Sequence, residues 1–412
     1  MRVLYVNHTG TVSGAERSLL ELIAGLPGEV EASVACPSGP LAERTRALGI
    51  PHEPIGGTDG SWKVHPWHTT RAVAEMALDS VRVRTIARRV RADVIHANSV
   101  RSGLVAVPAA RASGSRSVVH IRDALPSGIA SAGVRRWLGG ATALIANSGY
   151  TAERFAPGQL RAGTHVVHNP VDLTRFDPDK VDEAGARARL GLGPQTRVLA
   201  VLAQLTPWKG QDDAVRILGA LRERGIDAHL LLIGSIKFAA KATRHDNPGY
   251  VRSLEDLVAG LGITDRVSFL GEREDVPELL APVDLALVPS WEEPFGRAVG
   301  EAMAMGVPVA ATSVGGPSEL IDDGVDGLLL PPREPGAWVD PIAELLEDES
   351  RRERMGQAAR RRADATLGVR QHVESVLEVY REALGRPAVD ALLDASPARN
   401  GRFRPTEERL RS

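Results

Sequence analysis

Cysteine is nearly missing from this chain: Cys36 is the single one in 412 residues. That excludes a disulfide framework and any multi-cysteine metal site, and it fits a reducing cytoplasm. Long apolar runs are missing as well. No stretch approaches about 18 uninterrupted apolar residues, so nothing is expected to span a bilayer. The N-terminus has no signal-peptide pattern, because Met1-Arg2 runs straight into Val3-Leu4-Tyr5-Val6, a short apolar run of buried-strand type. The expected location is therefore cytoplasmic. A strong charge of one sign is also lacking, and the formal net charge of −2 argues against a dedicated nucleic-acid binder. Of 50 Lys+Arg and 52 Asp+Glu, residues 1–180 hold 21 and 15, leaving 29 and 37 for the rest. A basic first part and an acidic remainder should meet different partners.

What is present is ordinary globular material, with 43% hydrophobic and 25% charged residues. The length suits two domains of roughly 180 residues each. Short apolar runs at 3–7, 32–36, 94–96, 118–121, 143–146 and 165–168 read as strands, with helical periods between several of them. Pro170, Pro178 and Pro194 break the rhythm over 169–196, which reads as an interdomain connection. The pattern restarts at 198–203 and continues through 229–234, 267–270, 285–289, 308–311 and 327–330. Strand then helix, repeated, predicts an α/β protein with two Rossmann-like, doubly wound parallel sheets facing a cleft. The expected boundaries are an acceptor domain at 1–180, a donor domain at 181–368 and a C-terminal helix at 369–386 packing back toward the first domain. A mobile tail follows at 387–412.

Ligands of such sheets bind beyond the carboxyl ends of the strands, and the informative motifs lie there. Glu293-Pro-Phe-Gly-Arg-Ala-Val-Gly-Glu301 follows the expected strand at 285–289. Eight helical residues cover about 12 Å, so two carboxylates at this spacing can address separate parts of one extended ligand. Pro294 and Gly296 suit a tight turn that leaves backbone N–H groups facing the cleft. A sugar nucleotide, with hydroxyl pairs at both ends and a diphosphate between them, fits the arrangement. A glutamate pair alone would be an ordinary solvated helix surface.

The whole segment E-P-F-G-R-A-V-G-E-A-M-A-M-G-V-P-V resembles the Glu-x7-Glu signature of the retaining glycosyltransferases of family 4, which have the two-Rossmann GT-B fold. The resemblance implies that Glu293 contacts the donor's sugar and Glu301 the nucleotide ribose, with the backbone of Phe295, Gly296 and Arg297 beside the donor. Ala203-Gln-Leu-Thr-Pro-Trp-Lys-Gly210 is similar to the family's diphosphate-gripping segment. Lys209 matches, whereas Gln204 stands where the family has an arginine and Ala203 where it has a glycine. Gln204 can donate hydrogen bonds but brings no charge, which puts the strength of diphosphate binding in question. In Ser313-Val-Gly-Gly-Pro-Ser-Glu319, Glu319 falls where relatives often carry a donor-side glutamate; a plain helix-capping turn explains it equally well. Leu270-Gly-Glu-Arg-Glu-Asp-Val276 matches the loop that cups the base, with Arg273 placed to stack on it.

In the first half, His8-Thr-Gly-Thr-Val-Ser-Gly-Ala-Glu16 is not the dinucleotide fingerprint, since Gly10 and Gly14 are four apart. It resembles the family's first glycine-rich loop, which implies a donor-phosphate contact for Gly14. His120, closing the strand at 118–121, is the expected cleft histidine and is grouped with Glu293 and Lys209 as catalytic. Asn98 and Arg122 are expected on the acceptor side. Residues 56–64, followed by His65-Pro-Trp-His68, match no shared motif and read as an acceptor-side loop. Arg82, Arg84, Arg88, Arg89 and Arg91 form either a solvated helix face or a patch for anionic lipid head groups, giving peripheral contact with the inner membrane face.

No Asp-x-Asp motif follows a strand, so protein groups are expected to meet the leaving-group charge and neither metal nor other cofactor is expected. The function read from the sequence is retaining transfer of a hexose-type sugar to a glycan, lipid-linked or secondary-metabolite hydroxyl. Two alternatives stay open at this point: a nucleotide-sugar epimerase or hydrolase on the same scaffold, and a non-catalytic sugar-nucleotide-binding homologue.

Overall fold

The computed structural model describes residues 1–57, 66–125, 128–156, 163–237 and 245–385. Residues 58–65 of the expected acceptor-side loop, and the whole expected tail at 387–412, lie outside the described residues.

The first half runs β1 (Arg2–Val6), α1 (Gly14–Ala24), β2 (Glu31–Cys36), α2 (Pro40–Ala47), β3 (His52–Pro54) and α3 (Pro66–Arg89). It continues through β4 (Val94–Ala97), α4 (Val100–Ser113), β5 (Arg116–Ile121), α5 (Ile129–Leu138), β6 (Ala143–Ala146), α6 (Gly149–Phe155) and β7 (Thr164–Val166). The seven strands form one sheet, in the order β3-β2-β1-β4-β5-β6-β7, and every pairing in it is parallel.

After α7 (Glu183–Arg189), the second half runs β8 (Arg197–Leu202), α8 (Gln211–Glu223), β9 (Ala228–Ile233), α9 (Asn247–Gly260), β10 (Val267–Gly271), α10 (Val276–Leu280) and β11 (Leu285–Val288). Then come α11 (Arg297–Ala304), β12 (Val309–Thr312), α12 (Pro317–Leu320), β13 (Gly327–Leu330), α13 (Pro335–Glu347), α14 (Glu349–Thr366) and α15 (Val369–Ala383). Its parallel sheet has the order β10-β9-β8-β11-β12-β13. Both sheets are doubly wound, and the strand order reverses between β1 and β4 and between β8 and β11. Those reversals are where such folds bind ligands.

Alternation explains why the strands read as unbroken apolar runs. Leu4 and Val6 of β1 join one core with Ile95 and Val119, while Val3 and Tyr5 join another with Val34 and Val118 on the opposite face. Both faces are covered, so neither can be polar. The edge strand β3 has no such apolar run to announce it. It is three residues long and ends in Pro54, whose missing N–H is tolerated at an edge.

The chain crosses between halves twice. Val171 and Phe176, in the stretch read as a connection, pack in the core of the second half. In the other direction α15 returns to the first half, where Val373, Val376, Leu377 and Tyr380 complete the core around Val3, Tyr5 and Leu22. His372 Nδ1 lies 2.7 Å from the His168 carbonyl and ties the two crossings together. Among the described residues, no helix is long and apolar enough to cross a membrane.

Candidate active site

Loops at the carboxyl ends of β8, β11 and β12 build a cluster of charged side chains. After β8 the chain makes a tight turn at Pro207–Lys209, closed by Gly210 with φ 69°. A Cβ on Gly210 would sit 2.1 Å from the Pro289 carbonyl oxygen, so glycine lets this turn pack directly on the end of β11. The contact brings Lys209 onto the carboxylate of Glu293, with Nζ donating to Oε2. Ser290 Oγ donates to the same oxygen at 3.1 Å, and the Lys209 ammonium also lies 4.0 Å from the centre of the Trp208 ring. The two side chains are only 15% and 9% exposed, which excludes most competing water.

Glu293 is fixed from its other side by the loop after β12. Gly316 N–H donates to the Glu293 carbonyl at 2.8 Å. Gly315 has φ 105°, and a Cβ there would lie 2.0 Å from that same oxygen. The two glycines thus set the position of the catalytic candidate through its backbone.

Gly296, with φ 97°, starts α11 and turns Arg297 toward the first half. The Arg297 guanidinium donates to both carboxylate oxygens of Glu21 on α1 at 2.8 and 2.9 Å, to Ser18 Oγ at 2.8 Å and to the Pro170 carbonyl at 3.1 Å. It also reaches Glu301 Oε1, one helical turn along, at 2.9 Å. Burial works against its charge, but Glu21 and Glu301 outweigh that and raise its pKa. Gly14 belongs to the same junction, since a Cβ on it would lie 3.5 Å from Arg297 Cδ.

Glu319 also spans the halves. Its carboxylate accepts the backbone N–H groups of Gly149 and Tyr150 at 2.8 Å each, at the start of α6. Burial would raise its pKa, but His168 and those two N–H groups win and lower it. Ser148 Oγ donates to the Pro294 carbonyl at 2.6 Å beside it. The Phe295 ring is buried, 5.6 Å from the ring of His168. Gln204 is partly buried in the loop after β8, and its carbonyl accepts from Gln211 Nε2 at 2.8 Å. Arg273 stands apart: it is held by Asp275 through Nε at 2.7 Å and NH2 at 2.5 Å, and no contact joins it to the Lys209–Glu293 pair among the described residues.

The strand ends of the first half carry a buried polar chain. Arg122 donates to Asn98 Oδ1 at 2.8 and 3.1 Å and to Asn169 Oδ1, and burial lowers its pKa to about 10. Asn98 Nδ2 continues to Asn7 Oδ1 at 3.0 Å, and Asn7 Nδ2 to Glu16 Oε1 at 3.1 Å. Asn98 and Arg122 therefore brace one another under the cleft, and both are almost fully buried. Asp123, the next residue, is exposed to solvent at the mouth of this chain.

His120 requires a correction. It is fully buried, in ring contact with His96 at 5.6 Å and His372 at 6.4 Å, beneath α15. Neither ring nitrogen has a hydrogen-bond partner, and burial drives its pKa well below the ordinary histidine value. Alternation along β5 turns His120 to the same face as Val118, into the core that α15 closes, so it cannot touch a ligand in this conformation. Glu21 and Ser290 were missed by sequence reasoning. Glu21 carries no motif of its own, and Ser290 had one available signal, its place at the end of an apolar strand three residues before Glu293.

The comparisons with known proteins fit this geometry. Residues 182–362 match the family described as glycosyl transferases group 1, and residues 12–175 match glycosyltransferase family 4. The crystal structure of Anabaena HepE in complex with UDP superposes with a TM-score of 0.78 at 26% identity, over 93% of this chain and 100% of that one. The chain has the GT-B glycosyltransferase fold. Similar proteins include the D-inositol 3-phosphate glycosyltransferase of Salinispora arenicola, 35% identical over 251 residues, which are 58% of this chain and 55% of that one. The corresponding protein of Nocardia farcinica is 35% identical over 258 residues, covering 61% and 55%. This GT-B chain thus spans about half the length of the curated relatives it matches.

Proposed function

We propose that this chain transfers a hexose-type sugar from a nucleoside-diphosphate sugar to an acceptor hydroxyl on a glycan, a lipid-linked molecule or a secondary metabolite. The transfer retains anomeric configuration and needs no metal. One observation carries the reading: Lys209 and Glu293 meet in a water-poor pair at the β8–β11 strand-order reversal.

Without donor the two side chains neutralise each other. With donor, Lys209 moves onto the diphosphate, Glu293 turns to the sugar hydroxyls, and Glu301 accepts from the ribose. The N-terminus of α8, directly after Lys209 and Gly210, adds favourable potential for the departing phosphate. Fixed donors aimed at developing charge usually supply more of the rate enhancement than any other single effect. Gly14 meets the donor phosphates from across the cleft, and the acceptor approaches along the carboxyl ends of the first sheet's strands, above the Asn98–Arg122 brace. Transfer is front-face: the sugar–phosphate bond breaks, the acceptor oxygen bonds to the same face, and the leaving phosphate oxygen takes the hydroxyl proton. No protein nucleophile is required. HepE is known in complex with UDP and with UDP-glucose, which makes uridine donors the first to test.

The experiment is incubation with labelled UDP-, GDP-, ADP- and dTDP-sugars plus an acceptor panel, with and without excess chelator. Metal-insensitive transfer with retained configuration is expected. Free sugar or an isomerised donor would instead indicate a hydrolase or epimerase. Binding without turnover would point to a non-catalytic homologue, for which Gln204 is the one hint.

A further inference from the structure

The first half presents one face that its own fold leaves uncovered. On α3 the buried side, with Asp79, Val83 and Ala87, packs toward the sheet and α4. On the outer side Val73, Leu78 and Val81 are 56%, 59% and 59% exposed. Ala74 and Ala77 fill the space between them, so two helical turns show a continuous apolar stripe about 12 Å long. Thr85 extends it, because its hydroxyl is turned back onto the Val81 carbonyl at 2.9 Å. Single exposed apolar residues are ordinary; a stripe along one helix calls for an occupant.

The stripe has a cationic rim. Arg82, Arg88 and Arg89 are exposed along its C-terminal part, and no acidic residue is exposed on α3 between 73 and 89. Asp79 is turned inward, where it accepts the N–H groups of Gly56 and Gly57 at 2.9 and 2.7 Å and one guanidinium N–H of Arg82 at 2.9 Å, so part of the Arg82 charge is met from below and Arg88 and Arg89 are the rim's outermost cations. A shallow groove of about 410 Å³ runs between this end of α3 and Pro54 of β3, with Arg82 and Arg89 on one wall. Glu53 pairs with Arg89 there, and an external anion would compete with it.

We propose that this face docks the chain on an anionic lipid surface. The apolar stripe would sit at the acyl boundary and the arginines at the phosphate level, the pattern of an interfacial amphipathic helix. Electrostatics disfavours the other obvious occupant, a second copy of this chain. An anionic surface complements the arginines, whereas the same face of a second copy offers no exposed carboxylate on α3 between 73 and 89 to meet them. Each arginine near an anionic surface strengthens partitioning roughly fivefold.

The test is flotation of the full chain with vesicles of phosphatidylcholine alone or mixed with phosphatidylglycerol, at about 0.1 M salt. Binding at least tenfold stronger to the anionic vesicles is expected. Leu78→Glu with Val81→Glu should abolish it without lowering Tm, since both side chains are exposed, and Arg88→Glu with Arg89→Glu should weaken it at least tenfold. Equal binding to both vesicle types, or none, overturns the proposal. So does concentration-dependent self-association in sedimentation velocity that Leu78→Glu removes. The readout is vesicle binding, so its outcome is independent of any sugar transfer.

Discussion

Arg297 and Glu21 join the two halves of the molecule through a pair of hydrogen bonds, 2.8 and 2.9 Å long, between one guanidinium and both oxygens of one carboxylate. Arg297 lies inside the Glu-x7-Glu segment, while Glu21 is on the first helix, 276 residues earlier. Because Arg297 also holds Glu301, the proposed ribose ligand is tied to the contact between the two halves.

Arg297→Ala should leave Glu21 and Glu301 as uncompensated carboxylates, and breaking such a buried set costs about 3–5 kcal/mol. A Tm several degrees lower, with weaker donor binding, is expected. Arg297→Lys keeps the charge but not the fork, and should fall between. An unchanged Tm for Arg297→Ala would mean that this junction does not hold the halves together.

Lys209→Ala and Glu293→Gln should each lower turnover at least tenfold while circular dichroism stays native. Wild-type rates in either variant would remove the pair from the donor site.

Gly315→Ala tests whether backbone geometry positions Glu293. The new methyl would lie 2.0 Å from the Glu293 oxygen at a φ of 105°, whereas Gly324, at φ 77°, has open space around it. Gly324→Ala should cost only local strain, on the order of 1 kcal/mol. Gly315→Ala should cost more than that and weaken donor binding too. Equal Tm losses would show that the loop moves aside freely.

Acid should loosen the α15 contact. His96 and His372 are buried, and burial lowers both from 6.5 to about 3; His120 is lowered as well. All three are neutral when folded, whereas the unfolded chain takes up protons below about 6.5. Their contribution is therefore intact above pH 6.5 and is lost as pH falls toward 3. At pH 5 the loss is on the order of 1–2 kcal/mol per histidine. Thermal melts from about pH 7.5 to about pH 4.5 should show Tm falling with acid, and His120→Leu should flatten the slope. A slope unchanged by that variant would exclude His120 as a contributor.

The doubly wound parallel pattern and every strand position except β3 were legible because the parallel strands are covered on both faces and so stand out as apolar runs, as at Leu285–Val288. The loops carrying Glu293 and Lys209 were legible because turn glycines and charges follow those runs directly. His120 was misplaced because a strand's period tells that two faces alternate, but not which face a distant helix will cover. The element that buries it begins at Val369, some 250 residues later. Glu319 illustrates the same gap: its partners, the N–H groups of Gly149 and Tyr150, are backbone atoms and leave no trace in residue identity.

The return of α15 has a bearing on biogenesis. β1 leaves the ribosome long before α15, yet the core on that side of the sheet, partly built by α1 and α2, is completed only when residues 369–383 have emerged and reached back across the whole molecule. A fragment ending near residue 180 would lack the partner that Tyr380 provides for Tyr5 and His96 and the apolar cover that Val373, Val376 and Leu377 add, and should need a peptide carrying Val376 and Tyr380 in trans to stay soluble.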